Sequence, residues 1–520
     1  MSDSATSYDE VIYPGNPLPQ THPDRLATVA SLFGMRPAPA TKCRLLELGC
    51  GIGGNLTAMA YQFPESEFVG IDLSARSIEI GNANLASLGI ANATLRQFDI
   101  MQIGREFGTF DYIVAHGVYS WVPPFVRDKM LAVFRDNLAP NGVAYVSYNV
   151  YPGSHFRAVA RDMMMYHVRA TPDPQEKIAQ SRTLLKVLSE LVPEEDSYGR
   201  VLREQYERVM KMAGEVIYHD DLEEATTPFL LHQVVDAAAR QGLQYLAEAN
   251  FAQTHLGTMP DYIGRLLKQL PVGAVVEREQ YLDFFANRSF RQTLLCRDDV
   301  SLRTDVPPAV IRDYYLAGNI EPEDAAIDPL SVGEARFKTP RTLAITTAHP
   351  LSKAALLQLG AAWPRALGFP ELLEAAYARL GDAAEDVRAE AAKHESELVE
   401  VLFRAFATEQ IEATLYPPRL TTAIGEKPEA SLLARTLSEA GPVIVNMRWA
   451  RVMMQDEFAR RFLRLVDGTR DSDALAEALQ RELGAMQAAT NMPADQVPQV
   501  TRDGVERNLQ HLARLGLLVA

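Results

Sequence analysis

The run Leu45-Leu46-Glu47-Leu48-Gly49-Cys50-Gly51-Ile52-Gly53-Gly54-Asn55 joins a short apolar segment, Arg44 to Leu48, to a cluster of glycines. A helix-spaced apolar pattern follows through Leu56, Met59, Ala60 and Phe63. Glycine lets the backbone turn sharply and approach a ligand closely, because no Cβ intervenes. Strand, glycine turn and helix in that order predict the nucleotide-binding corner of a doubly wound α/β sheet.

Two patterns compete for the same letters. Gly49, Gly51 and Gly54 satisfy G-x-G-x-x-G, the dinucleotide fingerprint. Glu47, Gly49, Gly51 and Gly53 satisfy E-x-G-x-G-x-G, which resembles the first motif of class I S-adenosylmethionine-dependent methyltransferases. In that family the acid contacts the methionine part of the cofactor, whose ammonium favours a carboxylate partner. A carboxylate beside a pyrophosphate would instead repel like charge. Glu47 therefore favours the methyltransferase over a nicotinamide-dependent oxidoreductase. The plain alternative is a glycine turn that only reverses the chain.

The following segments agree. Glu67-Phe68-Val69-Gly70-Ile71-Asp72 reads as a second strand ending in an acid. Asp72 stands roughly twenty residues downstream of the glycines, where a ribose-binding carboxylate is expected. Its alternative is a place in the helix cap that Ser74 begins. A third strand, Ala93 to Gln97, runs into Phe98-Asp99-Ile100. The methyltransferase resemblance sets Asp99 against the adenine amino group; otherwise it is a turn residue after a strand. Asn55, Leu73, Ile100 and His116 complete the expected cofactor contacts within the core.

Phe110-Asp111-Tyr112-Ile113-Val114-Ala115 is a fourth strand that breaks into His116-Gly117-Val118-Tyr119-Ser120-Trp121-Val122-Pro123. Loops at the carboxyl ends of such strands bind substrate. Tyr119 and Trp121 carry amphipathic rings suited to lining a narrow amine channel, or to packing on the next helix. His116 is either a proton acceptor near neutral pH or a neutral histidine that holds the loop. The fifth strand, Gly142 to Tyr148, leads into Asn149-Val150-Tyr151-Pro152-Gly153. His116, Tyr119, Trp121 and Asn149 form the catalytic expectation.

These last two stretches resemble a bacterial family with a methyltransferase regulatory domain, which includes protein-lysine methyltransferases of outer-membrane proteins. Ser7-Tyr8-Asp9-Glu10, Tyr13-Pro14 and Pro19-Gln20-Thr21-His22-Pro23 are similar to that family's leader. Tyr218-His219-Asp220-Asp221-Leu222-Glu223 and Gly242-Leu243-Gln244-Tyr245-Leu246-Ala247-Glu248 carry the resemblance further. It implies a leader folded over the cofactor, with Tyr13, Gln20 and Thr21 in contact with it.

Composition bounds the rest. A chain of 520 residues holds several domains, and 47% hydrophobic with 23% charged residues is ordinary for globular proteins. Three cysteines, Cys43, Cys50 and Cys296, show neither metal-ligand spacing nor a disulfide framework, so no metal is expected and a reducing cytoplasm fits. The start is polar and acidic, unlike a signal peptide, and no apolar run is long enough to insert into a membrane. A formal charge of −16 argues against nucleic acid as a partner. It favours a basic, lysine-bearing protein by long-range attraction.

The expected organisation is a Rossmann-like methyltransferase core over 1–255 with a helical insertion at about 154–215. A helical regulatory and linker region over 256–345 follows, with a small sheet in its Pro-rich part. Tyr281, Phe284, Phe285 and Phe290 stand there at helix-like spacing beside Arg288, Arg291 and Arg297, read as a solvated or interdomain face. Two winged-helix-like domains are expected at 346–424 and 425–520, with protein docking favoured over DNA binding. The sequence thus predicts a cytoplasmic methyltransferase that uses S-adenosylmethionine, acting on protein lysine, an outer-membrane or surface protein among the candidates. The alternatives are a small-molecule or lipid methyltransferase with the same core and a non-enzymatic cofactor-binding scaffold. Assembly as a homodimer stays open.

Overall fold

The computed structural model describes residues 7–223, 225–254, 261–267, 269–271, 273–324, 327–341, 343–490 and 499–519. The chain packs as two units. The first holds the described residues of Met1–Asn16, Val29–Thr254 and Met259–Thr304, the second those of Pro17–Thr28 and Asp305–Ala520.

Seven strands form the sheet of the first unit: β1 (Arg44–Leu48), β2 (Glu67–Asp72), β3 (Ala93–Gln97), β4 (Phe110–Ala115), β5 (Leu138–Asn149), β6 (Leu243–Glu248) and β7 (Phe290–Arg297). Their spatial order is β3-β2-β1-β4-β5-β7-β6. The first five run parallel, and β7 lies antiparallel between β5 and β6. The strand order reverses between β1 and β4, which makes the carboxyl ends there the ligand crevice of the sheet.

Helices in chain order are α1 (Ser7–Glu10), α2 (Pro23–Leu32), α3 (Gly54–Gln62), α4 (Ala75–Ser87), α5 (Pro124–Asn137), α6 (Gly153–Val168), α7 (Pro174–Leu191), α8 (Ser197–Lys211), α9 (Gly214–Asp221), α10 (Leu231–Arg240), α11 (Asp261–Leu267) and α12 (Val275–Ala286). One sheet face buries Leu46, Ile71, Ile113, Ala144 and Val146 against Met130, Phe134, Val234 and Ala238 of α5 and α10. These parallel strands are apolar nearly throughout because helices cover both faces. The insertion, α6 to α9, has its own core of Met164, Val168, Ile178, Leu185, Val209 and Ile217, joined by Val11 of the leader. Asp173 and Asp196 cap α7 and α8 by accepting the Glu176 and Tyr198 amides. Ser74 caps α4 as its position predicts.

The region after residue 255 departs from expectation. Phe290–Arg297 is not helical but a strand of the sheet, lying between β5 and the edge strand β6, and the first unit runs on to Thr304. Arg291 is not on a solvated face either: it is fully buried, with Nη1 2.5 Å from Glu248 Oε1 and Nη2 2.9 Å from Asp283 Oδ1. Glu279 completes the cluster from α12 at 3.4 Å. A guanidinium can enter a sheet interior only where carboxylates meet it, and here three converge.

The second unit contains a small antiparallel sheet of Glu321–Pro322, Ala335–Lys338 and Ile345–Thr347. Helices Pro350–Ala362, Phe369–Arg379 and Ala391–Ala407 accompany a sheet of Tyr315–Ala317, Leu367–Gly368 and Glu412–Thr414. The last block packs helices Leu432–Ala440, Glu457–Leu465, Ser472–Thr490 and Arg502–Arg514 with the hairpin Val443–Val445/Arg451–Met453. Its core includes Ile444, Phe462, Leu463, Leu475, Leu479, Leu509 and Leu512.

Candidate active site

β1 carries Glu47 to the carboxyl edge of the sheet, where the chain turns through Gly49, Gly51 and Gly53, all at positive φ. The Gly49 and Cys50 amides donate to Ile71 O, which fastens the turn to β2. Glu47 is buried; its Oε1 accepts the Asn55 side-chain amide at 2.9 Å and its Oε2 has no partner among the described residues. Burial, with Asp72 nearby, pushes its carboxyl up to about 8. A buried carboxylate oxygen without a partner is costly, and a ligand cation at this corner would relieve it.

Asp72 ends β2. Its Oδ2 accepts the Gly51 amide at 2.8 Å and its Oδ1 accepts the Ser74 amide at 2.9 Å. These bonds aim the carboxylate and leave lone pairs free for ribose hydroxyls. Burial nonetheless raises its pKa. Asp99 is half-buried beyond β3 and accepts the Met101 amide, so it is also the turn residue that its position allows. Leu73 is an exposed apolar residue beside Asp72, and Ile100 packs partly against the sheet core.

The leader lies on this corner. Asp9 accepts the Ser74 hydroxyl at 2.6 Å, and its carbonyl accepts Arg76. Gly15 passes so close to α3 that a Cβ on Gly54 would overlap the Gly15 carbonyl. Toward α9, Glu10 accepts the Tyr218 hydroxyl and Val11 O meets His219 Nε2 at 2.7 Å. The Tyr13 ring lies 5.7 Å from that of His219, and burial raises its pKa to about 12. Gln20 and Thr21 belong to the second unit, where the Thr21 hydroxyl donates to Leu18 O.

Past β4, Val118 closes over the glycine turn: a Cβ on Gly49 would come within 2.6 Å of Val118 Cγ2. His116 is half-buried beside the Phe290 ring, with Nδ1 2.8 Å from the Tyr145 hydroxyl. Desolvation pushes its pKa down to about 4. A histidine that low stays neutral at physiological pH and binds a proton weakly, which favours the loop-holding reading over the proton acceptor. Asn149, buried at the end of β5, donates through its side-chain amide to Thr226 at 3.3 Å. Trp121 remains partly exposed.

Tyr119 is corrected by the structure. Its ring is buried in the core with Phe229 and Tyr148 at 5.4 and 6.0 Å, on the face covered by α5 and α10. It packs rather than lining a channel, because the loop turns it under the sheet. Tyr145, Ser147 and Phe290 were not anticipated. Tyr145, Ser147 and Asn149 alternate along β5, so the two-residue period of a strand would have found the first two.

Comparison with known proteins agrees with this geometry. A family model for a methyltransferase domain matches residues 46–144, and one for a predicted methyltransferase regulatory domain matches 213–297. A third, for the C-terminal winged helix domain of PKMT, matches 426–517. The uncharacterized protein RP028 of Rickettsia prowazekii (strain Madrid E) is 37% identical over 241 residues, 96% of its length. This chain belongs to the class I S-adenosylmethionine-dependent methyltransferases with a methyltransferase regulatory domain.

The methyltransferase is also 40% identical over 317 residues to RP789 of the same organism; that match spans 57% of the relative's length. The structure of PKMT2 from Rickettsia typhi superposes with a TM-score of 0.86 at 27% identity, covering 98% of this chain and all of that one. A second structure of PKMT2 holds AdoHcy. The cofactor of the methyltransferase is S-adenosylmethionine, and the unpaired Glu47 oxygen fits its ammonium. The regulatory match includes β6 and β7, so this region builds part of the sheet. No described helix of the methyltransferase is long and apolar enough to cross a membrane.

Proposed function

We propose that this methyltransferase acts on lysine side chains of a protein. The observation that carries the reading is the likeness to PKMT2 along nearly the whole chain, a name that suggests protein-lysine methylation. The formal charge of −16 supports a basic partner, and three buried free cysteines fit a cytoplasmic location.

When bound, S-adenosylmethionine supplies a sulfonium methyl for in-line displacement by an amine. Glu47 would pair with the cofactor ammonium, Asp72 would accept both ribose hydroxyls, and Asp99 would meet the adenine amino group. Tyr13 and the rest of residues 7–16 would shield that corner from water. Trp121 and Phe290 would flank the approaching amine, and Asn149 would orient it through its side-chain oxygen. Aromatic walls desolvate an ammonium and so lower its pKa, which an ordinary lysine at about 10.4 requires before it can react. They also tolerate the cationic methylated product by cation–π attraction.

Incubation with methyl-labelled cofactor and a cell extract, followed by mass spectrometry, tests the reading. Mass gains of one or more methyl groups on lysine peptides are expected. Label confined to small molecules or lipids would overturn the lysine assignment and leave the methyltransferase standing.

A further inference from the structure

We propose that Tyr145 is a positioning residue for methyl transfer: its hydroxyl donates to His116 Nδ1 and fixes the imidazole in the Nε2–H form, a donor at the carboxyl end of β4. The inference rests on the reading that an amine-bearing substrate approaches that end.

Tyr145 is fully buried on β5, with its oxygen 2.8 Å from Nδ1 and its ring stacked on the imidazole at 5.9 Å between centroids. Two further groups reach the same hydroxyl: Ser147, two residues along β5, and Gln292 on β7. Ser147 Oγ in turn accepts the Gly117 amide at 2.8 Å, so the residue after His116 is tied to the same network. Phe290 covers the imidazole edge at 5.8 Å. Among the described residues no hydrogen bond reaches Nε2, and it is not a buried orphan.

The direction of the Tyr145–His116 bond follows from acid and base strength. A phenol is the strongest neutral acid in the network and an imidazole nitrogen the strongest neutral base, so the shared proton sits on the phenol and points to Nδ1. A neutral imidazole that accepts at Nδ1 carries its own proton on Nε2. Such a group cannot take a proton from an ammonium. It can hold an acceptor oxygen, and the class it fits is a peptide carbonyl of the segment bearing the target lysine. The amine then loses its proton before it enters, as the desolvating walls favour.

The test is nitrogen NMR on protein labelled at histidine, with the His116 signals assigned by their loss in His116→Gln. The native protein should show His116 protonated on Nε2 with an acceptor-type Nδ1. Protonation on Nδ1 would overturn the proposal, and needs no variant to detect. Tyr145→Phe should populate both tautomers, and an unchanged single tautomer there would also overturn the proposal. The spectra require no substrate, so a failed lysine assay and a wrong tautomer are separate outcomes.

Discussion

Gly15 of the leader and Gly54 at the start of α3 meet backbone to backbone, with no room for a side chain at the second position. This crossing sets residues 7–16 on the cofactor corner, alongside the Asp9–Ser74 hydrogen bond.

Gly54→Ala should therefore push the leader off the corner. Over-packing of this kind costs about 1–3 kcal/mol, and here it should be felt in cofactor binding. Calorimetry should record weaker S-adenosylmethionine binding in Gly54→Ala and in a chain lacking residues 1–16. Unchanged affinity in both would make the leader ordinary surface.

Glu47 makes cofactor binding pH-dependent. Its carboxyl titrates at about 8 in the unliganded protein, above the ordinary 4.5, so the fold holds that proton more tightly than the unfolded chain does. Its contribution favours the unliganded fold at low pH and declines as pH rises from 4.5 toward about 8. Pairing with a cation requires the proton to leave. Affinity should fall by up to about tenfold for each pH unit below 8, the limit for release of one proton. Titration calorimetry in buffers of different ionisation heat would count it, and Glu47→Gln should remove the dependence.

Trp121 and Tyr119, two residues apart, should behave differently. Trp121→Ala is expected to lower turnover by at least roughly tenfold, about 1.4 kcal/mol of transition-state stabilisation, with little change in cofactor affinity. Tyr119→Ala should instead destabilise the fold by about 3–5 kcal/mol, as deletion of a buried aromatic does. Methyl-transfer assays paired with urea unfolding would separate the two. Equal loss of stability in both variants would remove Trp121 from the site.

Arg291→Leu should be among the most damaging single changes. It leaves Glu248, Glu279 and Asp283 buried without their shared cation, and breaking a buried pair on one side costs about 3–5 kcal/mol. Urea unfolding should show the loss, and combining it with Glu248→Gln should recover part of it. A variant as stable as the native protein would mean that the cluster adds nothing to the sheet.

The cofactor corner was readable because each step there is local. A strand, glycines and a helix follow one another in sequence, β2 ends in Asp72, and Asp99 follows β3 by two residues. β7 was not readable for the opposite reason. Phe290-Arg291-Gln292-Thr293-Leu294-Leu295 has a charge at its second position, which argues against a buried strand until partners from β6 and α12 are known. The preceding aromatics of α12 extend their helical spacing onto Phe290, which completed the misreading. Tyr119 misled similarly: a polar handle suggested a lining residue, but the loop folds its ring into the core.

The place of β7 also has a bearing on how the protein is made. Roughly 140 residues separate the end of β5 from the start of β7, yet β7 fills the position between β5 and β6. At about 5–20 residues per second, a ribosome needs on the order of ten seconds to deliver that strand after β5 has emerged. Throughout that interval β5 has an open hydrogen-bonding edge, the kind that invites pairing with a neighbouring nascent chain. The helices α6 to α9 emerge first and have a core of their own to collapse around. Conditions that slow translation between residues 150 and 290 should therefore lower soluble yield more than the same slowing after residue 304.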